Sequence, residues 1–137
     1  MTGTYRVILT SSRDWDDPLA IWKGLRLCHA RAESAGKTLV VVHGNSGQGD
    51  MIGKLYGQLM GGCEEEGHDP DWDTHGRAGG PIRNKEMVAS GADECLAAIG
   101  PCHDRRCTRH IPHGSHGASG CADLAEEAGI PTRRLYA

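Results

Sequence analysis

Thr38-Leu39-Val40-Val41-Val42-His43-Gly44-Asn45-Ser46-Gly47-Gln48-Gly49-Asp50 is the stretch on which the fold turns. Thr38 to Val42 is apolar and rich in β-branched residues, as expected for a strand covered on both faces of a parallel sheet. A glycine-rich turn follows. From about Asp50 to Glu65, Ile52, Leu55, Tyr56 and Leu59 recur at helical spacing and are expected on the inner side. The unit is therefore strand, glycine turn, helix.

The same alternation extends in both directions. Upstream, Tyr5 to Thr10 reads as a buried first strand and Ser11-Ser12-Arg13 as a loop. Asp16, Asp17 and Pro18 then start a helix that carries Leu19, Trp22, Leu25 and Cys28 inward. It runs to about Ser34, with Gly36 just past its end. Downstream, Glu64 to Asp73 is polar and acidic, so a third strand there is short or missing. Asp71 to Pro81 reads as a long loop, and Pro81 starts a helix that reaches about Ser90 and is closed by Gly91. Glu94 to Ile99 is a strand, and Gly100 to Gly114 a polar loop. Gly117 to Ala128 is a helix closed by Gly129, and Thr132 to Tyr136 a last strand. Alternating strands and helices imply right-handed crossovers. The predicted architecture is one α/β domain over residues 1–137, Rossmann-like and three-layered, with a mostly parallel sheet of four to five strands.

Composition narrows the function classes. The 137 residues suffice for one core, and a net charge of -3 argues against general nucleic-acid binding. No apolar run approaches the roughly 18 residues that span a membrane. The N-terminal residues lack the pattern of a signal peptide, so a cytoplasmic protein is expected. A homodimer or larger homo-oligomer is the expected assembly. Twenty glycines suggest tight turns or close backbone approach to a ligand. Six cysteines in such a chain read as thiols or metal ligands rather than disulfides.

Ligands of such folds sit beyond the carboxyl ends of the strands, and four loops reach that edge here. In the loop after Val42, Gly44, Asn45, Ser46, Gly47, Gly49 and Asp50 are candidate ligand-binding residues. Glycines let the backbone come close, and the helix start offers N–H groups to a phosphate. The competing reading is a turn that needs positive φ, with Asp50 a plain helix cap. A second such loop holds Gly114, Ser115, His116, Gly117, Ala118 and Ser119. In the loop before Pro81, Arg77, Pro81, Arg83 and Asn84 are candidates. Arg83 falls in the first turn of its predicted helix, where it opposes the dipole; a grip on an anionic ligand explains that cost. The alternative is a surface pair with Glu86. Ser12 and Arg13 complete the set after the first strand.

Cys102, His103, Cys107, His110, His113 and His116 crowd one stretch. Zinc is a candidate cofactor there, with Cys102, Cys107, His110 and His113 as ligands; the competing reading is a solvated loop with incidental thiols. Asp69, Asp71 and Asp73 lack EF-hand spacing and read as a solvated acidic turn.

The block Asp71-Trp72-Asp73-Thr74-His75-Gly76-Arg77-Ala78-Gly79-Gly80-Pro81-Ile82-Arg83-Asn84-Lys85-Glu86-Met87 resembles the signature of the YspA-type, cpYpsA-related SLOG family. That family is related to the LOG phosphoribohydrolases and DprA. Ser12-Arg13-Asp14-Trp15, His43-Gly44 through Gly49-Asp50, Ser115-His116-Gly117-Ala118 and Ala128-Gly129-Ile130-Pro131 agree with it in order. The resemblance implies a nucleotide-derived ligand whose phosphate is held by the glycine loops and Arg83. LOG enzymes cleave N-glycosidic bonds with a Pro-Gly-Gly-x-Gly-Thr-x-x-Glu motif. Matched onto it, the chain holds Ser115 for the second glycine, Ala118 for threonine and Cys121 for glutamate. The expected function is thus a nucleotide-binding or sensing domain. The alternatives are an N-glycosidic hydrolase acting on nucleoside monophosphates or ADP-ribose-like substrates, with Asp50 or Glu86 as its carboxylate, and a zinc-stabilised interaction module.

Overall fold

A computed structural model describes residues 3–103, 107 and 113–136. Strand β1 (Thr4–Ser11) leads through helix α1 (Pro18–Ser34) to β2 (Thr38–His43) and α2 (Gly47–Leu59). After β3 (Cys63–Gly67) come a short α3 (Trp72–His75), a 3-10 turn (Gly76–Ala78) and α4 (Gly79–Ala89). The chain then forms β4 (Glu94–Ile99), α5 (His116–Glu127) and β5 (Thr132–Tyr136). Among the described residues five strands make one all-parallel sheet, in the order β3-β2-β1-β4-β5. The predicted three-layer fold is what forms, with five strands. None of the described helices is long and apolar enough to cross a membrane.

Period-two alternation sorts the central strands between two cores. Val7, Leu9, Leu39, Val41, Leu96 and Ala98 face α1 and α2, packing on Ile21, Leu25, Cys28 and Tyr56. Ile8, Val40, Val42 and Cys95 point to the other face, against Met87 of α4 and Cys121 and Ala125 of α5. Asp17 caps α1, its carboxylate accepting the Ala20 N–H at 3.2 Å, and Pro18 occupies the first turn.

Three expectations need correction. The acidic stretch forms a strand, and it is short, the first of the two outcomes expected; the correction is to where α2 ends before it. Glu66 forks with the Arg6 guanidinium at 2.9 Å on both oxygens, and Glu65 accepts from His43 Nε2 at 2.6 Å. These partners take up two of the three carboxylates on an edge strand that β-propensity disfavours. The break before β3 is Gly61-Gly62, with Gly62 at φ +72, so α2 ends at Leu59 and not near Glu65.

Helix α2 turns only part of its expected face inward: Tyr56 is buried and Ile52 packs on the core, but Leu55 and Leu59 do not. Gly49, Asp50, Gly53, Tyr56 and Gly57 are buried, whereas Leu55 is 44% and Leu59 70% exposed. A Cβ on Gly53 would lie 2.4 Å from Leu9 Cδ2, and one on Gly57 2.6 Å from Glu65 Cβ. At Gly49, Gly53 and Gly57 the helix lies so close to its neighbours that only glycine fits, and this spacing shifts the inward face away from Leu55 and Leu59. Likewise Leu19 of α1 is exposed, and Ile21 and Gly24 take the inward positions beside Leu25 and Cys28.

The third correction concerns Asp71 to Gly80, which is α3, the 3-10 turn and the start of α4 rather than a loop. Asp71 caps α3 by accepting the Thr74 N–H at 3.0 Å. Trp72 lies against Gly79 and Gly80, where added Cβ atoms would meet its ring at 3.0 and 3.3 Å. That contact lets α4 begin two residues before Pro81.

Candidate functional site

All five strands are parallel, so their carboxyl ends share one edge. On that edge β1 hands the chain to α1 on one face, and β4 hands it to α5 on the other. The order reverses at this point, which opens a crevice. A cleft of about 1400 Å³ lies there. It is lined by the four loops that the sequence pattern brings to this edge.

Ser12 is the tie between those loops. Its hydroxyl accepts the Gly100 N–H at 2.7 Å and lies 2.5 Å from the Ser115 hydroxyl. Its own N–H donates to Ala98 O at 2.9 Å. The consequence falls on α5. Ser115 stands at the N-cap, but its side chain is engaged with Ser12 and makes no capping bond. The first-turn N–H groups of His116, Gly117 and Ala118 therefore have no side-chain cap and border the cleft.

Asp50 is 4% exposed and borders the cleft from the first turn of α2. One oxygen accepts the Ser46 N–H at 3.1 Å, and the other accepts the Ser11 hydroxyl at 3.4 Å. Burial pushes the carboxyl up to about 6, against the pull of the Ser46 N–H and the nearby positive charge of Arg83. Gly49 lets α2 come this close, since a Cβ there would meet Ser11 Oγ at 2.0 Å.

Arg83 reaches the same cleft from α4. Because α4 starts at Gly79, Arg83 is its fifth residue, past the turn where the dipole penalty is concentrated. Its Nη1 donates to Gly44 O and, at 3.4 Å, to His68 O, while Nε donates to Asn84 Oδ1 at 2.8 Å. No surface pair with Glu86 forms, and among the described residues no carboxylate lies within 4 Å of this guanidinium. Burial lowers its pKa, against the pull of the nearby Asp50 carboxylate. Gly44 is the floor beneath it, where a Cβ would lie 2.3 Å from Nη1. Asn84 is 6% exposed, and its amide donates to Gly117 O at 3.4 Å, joining α4 to α5.

Arg13, Arg77 and Pro81 also line the cleft, with Arg13 stacked 5.5 Å over the Trp72 ring. Other candidates support it from outside. Asn45, at φ +56, donates its amide to Asp69 at 2.7 Å and its N–H to His43 Nδ1 at 3.1 Å. That leaves His43 Nε2–H to donate to Glu65. Gly47 sits at φ +83 against the Arg13 backbone. Gly114 pairs with Pro101, and the Ser119 N–H continues α5 by donating to Ser115 O at 3.1 Å. Neither borders the cleft. Glu86 is exposed on α4 and does not line it either. Cys121, at the position matching the LOG glutamate, is fully buried, and burial pushes its thiol up to about 11. Trp72, Lys85 and His103 line the cleft without having been read as site residues. For Trp72 the missing signal was helix α3 itself.

Beside the cleft, Cys102, Cys107, His113 and His116 bring their sulfur and nitrogen atoms within 4.8 Å of one another. His110 lies outside the described residues. Asp69 and Asp71 are spent on Asn45 and on capping α3.

The profile of the YspA, cpYpsA-related SLOG family matches residues 5–75. This span takes in the loops after β1 and β2 and stops before Arg83. Over 134 residues the chain is 35% identical to the Gene 61 protein of Mycobacterium phage D29, covering 92% of each. No solved structure matches it.

Proposed function

This chain belongs to the YspA, cpYpsA-related SLOG family, and on that premise we propose that it binds a nucleotide or nucleotide-derived ligand in the cleft. The ligand's phosphate lies between the first turn of α5 and Arg83, and a ribose hydroxyl donates to Asp50. The observation that carries the reading is the pairing on one cleft wall of an uncapped helix terminus and an arginine with no salt-bridge partner among the described residues. The helix α5 N-terminus has no side-chain cap, and the half-buried Arg83 guanidinium hydrogen-bonds only to carbonyl and amide oxygens. An anion between them supplies acceptors to both, in surroundings where charge-assisted bonds are strong. Asp50 is the one buried carboxylate on the cleft wall among the described residues. At pH 7 it is mostly ionised and accepts hydroxyl donors.

Calorimetry with a panel of nucleoside monophosphates, ADP-ribose, nucleosides and inorganic phosphate tests this. Phosphorylated members should bind and bare nucleosides should not. Arg83→Ala should weaken binding by about 2–4 kcal/mol, or about 30- to 1,000-fold, with the fold intact. Gly44→Ala should produce a comparable loss, because its Cβ would occupy the guanidinium's position. A folded Arg83→Ala protein with wild-type affinity would remove Arg83 from the site.

A further inference from the structure

The six cysteines fall into three sets. Cys28, Cys95 and Cys121 are buried core thiols, and burial pushes them up to about 11 to 12, so they act as small apolar residues. Cys63 lies half-buried in β3. The remaining pair, Cys102 and Cys107, is in the loop between β4 and α5, half-buried, and faces two imidazoles.

We propose that Cys102, Cys107, His113 and His116 form a tetrahedral Cys2His2 zinc site that pins the loop after β4 to the first turn of α5.

The distances carry the argument. His113 Nε2 and His116 Nε2 lie 3.2 Å apart. Cys107 Sγ lies 3.4 Å from His113 Nε2 and 3.5 Å from His116 Nε2. Cys102 Sγ lies 3.6 Å from His116 Nε2. A zinc ion with bonds of about 2.05 Å to nitrogen and about 2.3 Å to sulfur has tetrahedral edges of about 3.3 Å for N···N and about 3.6 Å for S···N. These four of the six edges fall close to those values, and all four ligand atoms lie within 4.8 Å of one another. His116 Nε2 is the hub, in contact with both sulfurs and with His113 Nε2. Two Nε2 atoms at hydrogen-bond distance from one another and from sulfur form a knot of lone pairs, which a shared cation satisfies better than protons do.

The backbone is built to hold this arrangement. Pro101 bridges to Gly114, the Cys102 N–H donates to His113 O at 2.8 Å, and the Ser115 N–H donates to Gly100 O at 2.8 Å. These bonds bring the two ends of the loop side by side, so that Cys102 and His113 start from adjacent backbone. The imidazoles stack at 5.3 Å between centroids with 22° between their planes. That packing orients both rings before any metal binds.

The donor set selects the ion. Two thiolates and two imidazoles suit zinc and not magnesium or calcium, which need oxygen ligands. Four protein ligands leave no open position, so the site is structural rather than hydrolytic. Its position gives it a consequence. Cys102 and His116 line the cleft, and His116 is the first residue of α5. The metal thus fixes the helix terminus that borders the ligand space. The site stands whether or not the ligand is a nucleotide, because its evidence is the four ligand atoms alone.

Elemental analysis of the purified full chain should find about one zinc per chain. Cys102→Ser, Cys107→Ser and His116→Ala should each lose it, while Cys63→Ser should keep it. Cobalt added to chelator-stripped, reduced wild-type protein should give the intense visible bands of tetrahedral cobalt and a thiolate-to-cobalt charge-transfer band. Stripping should lower the melting temperature, and zinc should restore it. These two wild-type readouts hold even where a variant fails to fold. Reduced wild-type protein that takes up neither zinc nor cobalt would overturn the proposal. So would the weak spectrum of octahedral cobalt, full zinc occupancy in Cys102→Ser/Cys107→Ser, or a Cys102–Cys107 disulfide found by mass in freshly purified protein. Nucleotide is absent from every arm, so failure here is separate from failure of the ligand reading.

Discussion

Asp50 is placed where an ionised group is costly, and the cost has a measurable sign. Its folded pKa of about 6 lies above the 3.8 expected of an unfolded aspartate. The folded chain therefore binds this proton more tightly than the unfolded chain does. The stabilisation from Asp50 is complete below about pH 4 and disappears as pH rises through 6. At neutral pH the shift of about two units corresponds to at most about 3 kcal/mol of destabilisation. Asp50→Asn removes the charge and keeps an oxygen that accepts the Ser46 N–H. The variant should be more stable than wild type at pH 7–8 by about 1–3 kcal/mol and equal to it near pH 4, while it loses ligand affinity. Urea midpoints across that range read the difference. A gap that does not change with pH would show that Asp50 is not held as described. A functional residue that costs stability in the free protein is what ligand sites commonly contain.

At the scale of elements, helix α2 shows why glycine spacing matters more than its leucines. Gly57 abuts Glu65 Cβ at 2.6 Å and the Glu64 backbone at 3.0 Å from where a Cβ would be. Backbone cannot move aside as a side-chain tip can. Gly57→Ala should therefore cost about 1–3 kcal/mol, more than the roughly 1 kcal/mol that alanine gains in a helix interior. Gly61→Ala, with nothing within 4 Å of its Cβ, should be neutral to slightly stabilising. Chemical denaturation of the two variants compares them directly, and equal midpoints would contradict the close approach of α2 to β3. The same closeness places Asp50 inside the cleft wall instead of on the surface. Site and packing are one feature of this helix.

Taken as a whole molecule, the cleft proposed to hold a phosphate and a ribose has no glutamate at the position that resembles the LOG motif's. Breaking a bond at C1′ builds positive charge on the ribose, which needs a carboxylate beside it and a positioned water. The matching position holds Cys121, fully buried in the core with its thiol at about 11, so it carries no charge at neutral pH. Glu86 is exposed away from the cleft. We expect little or no free base when the protein is incubated with a nucleotide panel and the products are separated by chromatography. Rapid release would favour a hydrolase, and Asp50→Asn would then show whether Asp50 is its carboxylate.

Much of this architecture was legible along the chain. The βα alternation, the bounds of β4 and β5, the capped start of α1 and the four loops at one sheet edge follow from local signals. Apolar runs, Asp-Pro and terminal glycines act within a few residues of where they stand. Arg83, Asp50, Ser12 and Gly44 were legible as candidates for the same reason. Tertiary structure decided what depends on distant partners. Glu64 to Glu66 became a strand because Arg6 and His43 received two of their carboxylates. Helix α2 turned its glycines inward because the sheet lay too close for leucine. His116 came to face Cys102 and Cys107 because the ends of their loop pair across Pro101 and Gly114. A sequence encodes periodicity and local turns directly, but which charge is compensated and which atoms converge depends on contacts between residues far apart in the chain, and those exist only once it has folded.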